Sequence, residues 1–127
     1  MEKDFDAWNK EKKLIHTDRA PVQAEKREVW WCALGNNIGV EVDGKNRNFE
    51  RPALVLRVYN LYTLLVLPFT SQEKSDRFHY GVYLGAKKSW VMLTQARVIS
   101  SQRLLRVIDK VPVEEFREIQ SRFRGFT

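Results

Sequence analysis

The chain has 127 residues, 43% of them hydrophobic, 12% aromatic and 30% charged, a composition that fits one globular domain and excludes a disordered chain. Its 22 Lys and Arg against 16 Asp and Glu leave a net charge of +6, which suits a polyanionic partner, a solvated basic surface being the plain alternative. The single Cys32 excludes an internal disulfide, no leader-like segment opens the chain, and no run reaches the roughly 18 apolar residues of a membrane span, so the expectation is a soluble, cytoplasmic protein.

Residues 4 to 16 set Phe5, Trp8 and Ile15 among charged side chains with Asp4 available as an N-cap, which predicts a short amphipathic helix. His16 to Lys26 has no apolar period and reads as a linker. From Glu28 to Leu34 the chain turns to valine, two tryptophans and the cysteine, the composition of a mostly buried strand. Trp30 and Trp31 alternate across it, so one faces the core and the other can stack a base or line a partner surface. The 18 residues from Gly35 to Pro52 hold three glycines and four asparagines, and connections of that length are usually functional or mobile.

Pro52 can begin a strand but not occupy its centre, and it holds the residue before it extended, which puts Arg51 at a strand mouth. Ala53–Val58 and Leu61–Leu67 then read as two central antiparallel strands, with the turn expected at Tyr59-Asn60. Phe78, Tyr80, Val82 and Leu84 alternate as in a half-buried strand, and Gly85-Ala86-Lys87-Lys88 turns the chain. Ser89 to Ile99 reads as a strand with a bend, Arg103 to Ile108 as the last strand, and Pro112 precedes a helix with Val113, Phe116, Ile119 and Phe123 on one face. Helix, roughly five to seven short strands and helix, without strand-helix alternation, predicts a mainly β fold, a small, strongly bent antiparallel sheet or barrel with a packed C-terminal helix.

Two histidines (His16, His79) and one cysteine far apart give no metal-ligand spacing, no nucleophile has a base beside it, and no glycine-rich phosphate loop precedes a helix. The bland readings hold there, His16 as a linker residue and His79 as a strand residue. What remains is a set of phosphate-competent groups at strand ends: Arg51, Thr70, Ser71 and, more distantly, Gln95 and Arg97.

The ordered pattern Trp30-Trp31, Gly35, Gly39-Val40-Glu41, Gly44, Arg51-Pro52-Ala53-Leu54-Val55-Leu56, Pro68-Phe69-Thr70-Ser71, Leu93-Thr94-Gln95 and Arg97 resembles the MazF/PemK family of toxin–antitoxin endoribonucleases over about residues 27 to 123. The resemblance implies an SH3-like barrel over residues 27–127, with residues 1–26 as an N-terminal helical extension and linker. It implies a homodimer, cleavage of single-stranded RNA through 2′-hydroxyl attack with no metal or other cofactor, and a cognate antitoxin that covers the RNA groove. A non-catalytic member of the same fold, binding RNA, its antitoxin or another protein target, is the alternative.

Carried over by position, the family's catalytic arginine and threonine fall on Arg51 and Thr70, and its glycine-x-glutamate on Gly39 and Glu41, with Val42 where a glutamine is usual. Some members carry a second arginine and aspartate where this chain has Met92 and Thr94. Glu41 is either the proton-accepting base or an ion-pair partner that orients Arg51. Ser71 and Gln95 are expected to touch substrate, and Lys45, Arg47, Lys74 and Arg77 either track the RNA backbone or are plain solvated charge.

Overall fold

The computed structural model describes residues 4–18, 20–35 and 50–127, the side chains of residues 17 and 18 apart. Its elements in chain order are α1 (Phe5–Asp18), β1 (Glu28–Ala33), β2 (Glu50–Asn60), β3 (Thr63–Thr70), β4 (His79–Leu84), β5 (Lys87–Met92), β6 (Arg97–Ser100), a 3₁₀ turn at Ser101–Arg103, β7 (Leu104–Lys110) and α2 (Val113–Arg124). All strand pairs are antiparallel, in the order β4-β5-β3-β2-β1-β7, with β6 also on β3.

β3 makes the bend. Its first half, Thr63 to Val66, pairs with β6, whereas Phe69 and Thr70 at its end pair with Val91 and Trp90 of β5. The sheet therefore rolls up until its two edges meet, where Gly85 at the β4–β5 tip donates its N–H to Asp109 Oδ2 of β7 at 3.0 Å. The result is a small SH3-like antiparallel barrel with one helix at each end of the chain, as the sequence leads one to expect.

Continuous apolar runs in β2 and β3 follow from burial on both faces. Leu54 and Leu56 point with Val29, Leu67 and Phe69 into a core capped by Phe116 and Ile119 of α2. Ala53 and Val55 point the other way, with Cys32, Leu64, Val66 and Leu104, into a second core. Each of the larger side chains fully buried here stabilises the fold by about 1.5–3 kcal/mol.

Three local differences from expectation have physical causes. The β2–β3 turn lies at Leu61-Tyr62 rather than Tyr59-Asn60, because Asn60 Oδ1 accepts the Tyr62 N–H at 2.9 Å and Asn60 still pairs with Thr63. The stretch Ser89 to Ile99 is two strands, since the chain turns after Met92, whose carbonyl oxygen accepts the Gln95 N–H at 3.2 Å, before β6 starts at Arg97. In α2, Val113 is exposed, its place in the core being taken by Val111 just before the helix.

The N-terminal helix lies against the barrel. Asp4 caps it, accepting the Ala7 N–H at 2.9 Å. Trp8 and Ile15 are buried with Ala33 and against Leu105, and the Arg103 guanidinium lies 5.5 Å from the centre of the Trp8 ring. Trp8 packs directly on Gly35, whose φ is +78°, and a Cβ there would fall 2.0 Å from the Trp8 ring, so both the backbone and the contact require glycine. The residues leading into β1 are pinned to the barrel as well. Arg27, at φ 79°, donates its N–H to Val55 O and its Nε–H to Val111 O, and its carbonyl accepts the Val111 N–H.

Candidate active site

The β1–β2 ladder sets Trp31 opposite Pro52 and Cys32 opposite Arg51. Proline is tolerated here because it is close to the start of β2, and it keeps Arg51 extended. The Arg51 side chain reaches across to β3, where Nη1–H donates to the carbonyl oxygen of Phe69 at 2.9 Å. The next residue is Thr70, the last of β3 and buried. Its Oγ1 accepts the Gln72 N–H at 3.2 Å, which fixes the hydroxyl and leaves its hydrogen to be donated elsewhere.

These groups open onto a cavity of about 230 Å³. Trp31, Pro52, Phe69, Leu84 and Ile108 give it apolar walls, Arg51, Thr70 and Ser71 add polar groups, and Glu50, Lys87 and Ser89 also line it. It lies at the seam where the β4–β5 tip meets β7, so residues remote in sequence converge on Arg51 and Thr70.

Glu50 is 4% exposed. Its two carboxylate oxygens accept from Arg106 Nη2 at 2.9 Å and Nη1 at 3.2 Å, a fork-to-fork pair. The Arg106 guanidinium also lies 5.1 Å from the centre of the Trp31 ring. The alternation along β1 thus resolves the two tryptophans: Trp31 lines the cavity, while Trp30 packs on the second core and donates its indole N–H to Glu28 Oε1 at 3.1 Å.

The structure brings Arg51, Thr70 and Ser71 together and sets the other sequence candidates elsewhere. Gln95 is half-buried in the turn between β5 and β6, its N–H donated to Met92 O at 3.2 Å. Arg97 donates from Nη1 to Leu34 O at 3.2 Å, at the end of β1. Lys74 and Arg77 lie on the β3–β4 connection and do not line the cavity, and Arg77 sits over the rings of Phe78 and Phe126 at 5.0 and 5.8 Å. Glu41, Lys45 and Arg47 lie outside the described residues.

Glu50, Arg106, Lys87 and Ser89 were not foreseen. Glu50 had a signal, its place directly before Arg51-Pro52. The others reach the cavity region only through strand pairing, such as the Trp31–Arg106 register.

Cys32 is buried, and burial pushes its thiol up to about 12, so it is a core residue and no nucleophile. His79 Nδ1 lies 2.6 Å from Asp76 Oδ1, a surface pair whose hydrogen bond lowers the Asp76 pKa. Among the described residues no three His, Cys, Asp or Glu side chains come together as metal ligands.

The family model of PemK-like, MazF-like toxins of type II toxin–antitoxin systems matches residues 25–127. No curated protein matches the chain. Among solved structures, MazF from Deinococcus radiodurans is similar, with a TM-score of 0.70 at 21% identity over 83% of this chain and 96% of that one. An endoribonuclease in complex with its cognate antitoxin from a mycobacterial species gives a TM-score of 0.61 at 9% identity, covering 81% of this chain and 93% of the other. The toxin MazF-mt6 of Mycobacterium tuberculosis gives 0.59 at 15% identity, covering 78% and 94%.

Proposed function

Because the chain belongs to the family of PemK-like, MazF-like toxins of type II toxin–antitoxin systems, we propose that it is an endoribonuclease that cleaves single-stranded RNA by attack of the 2′-hydroxyl on the adjacent phosphorus. The observation that carries this reading is the Arg51–Phe69 hydrogen bond, which ties the guanidinium to the residue before Thr70, with Arg51 and Thr70 both lining one cavity.

In this reaction the 2′-oxygen bonds to phosphorus, the bond to the 5′-oxygen breaks, and a 2′,3′-cyclic phosphate and a 5′-hydroxyl result. The phosphorane carries extra negative charge on its non-bridging oxygens. Arg51 stabilises that charge through the planar fork of its guanidinium, and Thr70 adds a neutral donor from a hydroxyl already oriented by Gln72. Preorganisation is the source of the effect, since neither group must be moved into place when the charge develops.

A guanidinium stays protonated at ordinary pH, so Arg51 is not the base. Glu41 is the candidate for that role, its alternative being to orient Arg51 by an ion pair; as the base it takes the 2′-hydroxyl proton, and a protonated group or water returns a proton to the leaving 5′-oxygen.

The same reading includes a homodimer in the cytoplasm and a cognate antitoxin that binds over the cavity and keeps RNA out. An antitoxin solved on a structural neighbour and the +6 charge of this chain support such a partner.

The experiment is incubation of the purified protein with mixed-sequence RNA in EDTA, followed by mapping of the fragment ends. Fragments with 5′-hydroxyl termini support the proposal, and intact RNA refutes it in favour of a non-catalytic binder.

A further inference from the structure

The candidate site continues, strand by strand, onto the outer face of the β4–β5 hairpin. In the β3–β5 ladder Thr70 pairs with Trp90, and Trp90 pairs in turn with Gly81 of β4. Residues so paired stand about 5 Å apart at Cα, which makes Trp90 the neighbour of Thr70 across the sheet. Val91 and Val82 both enter the core, so the alternation of the two strands turns Trp90, Lys88 and Tyr83 to the outside.

These three side chains form one group. The Lys88 ammonium lies 5.7 Å from the centre of the Trp90 ring and 5.8 Å from that of Tyr83, close enough for both rings to attract it. Gly81 makes room for the arrangement, since a Cβ there would fall 2.7 Å from Lys88 Cε and 3.0 Å from Trp90 Nε1. Lys88 takes part in no ion pair among the described residues, and Tyr83 is 64% exposed. An apolar partner laid on this face would bury that ammonium without a counter-charge, whereas a phosphate supplies one. An exposed ring beside a cation held in place by aromatic neighbours suits an unstacked base and the phosphate attached to it.

We propose that Tyr83, Lys88 and Trp90 form the platform on which single-stranded RNA lies beside the scissile phosphate. A flanking base stacks on Tyr83, its phosphate meets Lys88, and Trp90 holds the ammonium in position. The inference rests on the endoribonuclease reading and adds to it where the strand runs once it has passed Thr70.

The test is fluorescence anisotropy with a labelled 2′-O-methyl RNA of mixed sequence, which binds uncut because it has no free 2′-hydroxyl, alongside cleavage of the unmodified RNA in EDTA. Tyr83→Ala is expected to weaken binding about tenfold, and Tyr83→Phe to leave it unchanged. Lys88→Ala should weaken it too and reduce the slope of log affinity against log salt by about one. In cleavage, Tyr83→Ala and Lys88→Ala should raise KM and keep kcat near that of the parent. Unchanged affinity in Tyr83→Ala, or an unchanged salt slope in Lys88→Ala, overturns the platform while cleavage by the parent leaves the nuclease standing. Loss of a dimeric mass in Tyr83→Ala, with RNA affinity intact, makes this face a contact between two copies and also overturns it. RNA left intact by the parent, with both binding losses present, overturns the nuclease and keeps the platform as an RNA-binding face. No binding of the probe by the parent overturns both.

Discussion

Arg51 Nη1 and the carbonyl oxygen of Phe69 lie 2.9 Å apart, so the guanidinium of one strand is tied to the residue immediately before Thr70 on the next. Arg51 stands near the start of β2 and Thr70 at the end of β3, so the pairing of these two neighbouring strands brings both groups to one end of the sheet.

Removing either group should remove the reaction and keep the fold. Arg51→Ala and Thr70→Ala are each expected to lower kcat on an RNA oligonucleotide by about 10²–10³, the usual loss for one transition-state donor. Arg51→Lys should recover little, because an ammonium lacks the planar fork. Circular dichroism of the variants should match the parent, and full activity in Arg51→Ala would remove this arginine from the mechanism.

The pH dependence of cleavage separates the two roles open to Glu41. If its carboxylate accepts the 2′-hydroxyl proton, kcat/KM of the parent rises with pH through the carboxylate range, and Glu41→Gln loses that acidic limb. An acidic limb that persists in Glu41→Gln leaves Glu41 only the orienting role.

Cys32 makes a different pH prediction. Its thiol is raised in the fold to about 12 from an ordinary value of 9.0, so the unfolded chain loses this proton first as pH climbs. The stability linked to Cys32 is therefore complete below pH 9 and is lost as pH rises through 12. Urea denaturation midpoints should fall across that alkaline window more steeply in the parent than in Cys32→Ala. At pH 8 a thiol reagent should label the protein only after denaturant is added; rapid labelling of the native chain would contradict the burial.

The contact between α1 and the barrel can be tested by a double-mutant cycle. Trp8→Ala should cost about 3 kcal/mol, as for other buried aromatic truncations. Gly35→Ala should also destabilise, through both the clash with Trp8 and the positive φ. Combined with Trp8→Ala, it should cost only the backbone part, about 1–2 kcal/mol. Strict additivity would mean that Trp8 does not rest on Gly35.

The oligomeric state has a direct reading. Light scattering on the purified protein should return twice the chain mass of 15.0 kDa, and a monomeric mass at micromolar concentration would remove the dimer from the proposal.

Much of this was legible in the residues because it is local. Pro52 holds Arg51 extended near the start of β2, although the strand begins before the proline, at Glu50, and the apolar runs on either side of Asn60 declare a buried pair of strands. Asn60 also shows the limit of local reading: its side chain accepts the Tyr62 amide and moves the turn two residues on. The remainder of the cavity depends on the roll of the sheet. Leu84, Lys87 and Ile108 line it because β4, β5 and β7 come round to the Trp31 side of the barrel, and no spacing within the chain encodes that closure. The docking of Trp8 was equally hidden, since its recipient, Gly35, reads as the first residue of a loop.

Among the described residues, the barrel's two edge strands are joined not by a β-ladder but at the Gly85–Asp109 hydrogen bond, and the cavity lies along that join. An occupant wedged between Leu84 and Ile108 would push against a zip held by a side chain. Breathing of the barrel and admission of a ligand would then be one movement, and amide exchange at Gly85 would be its natural gauge.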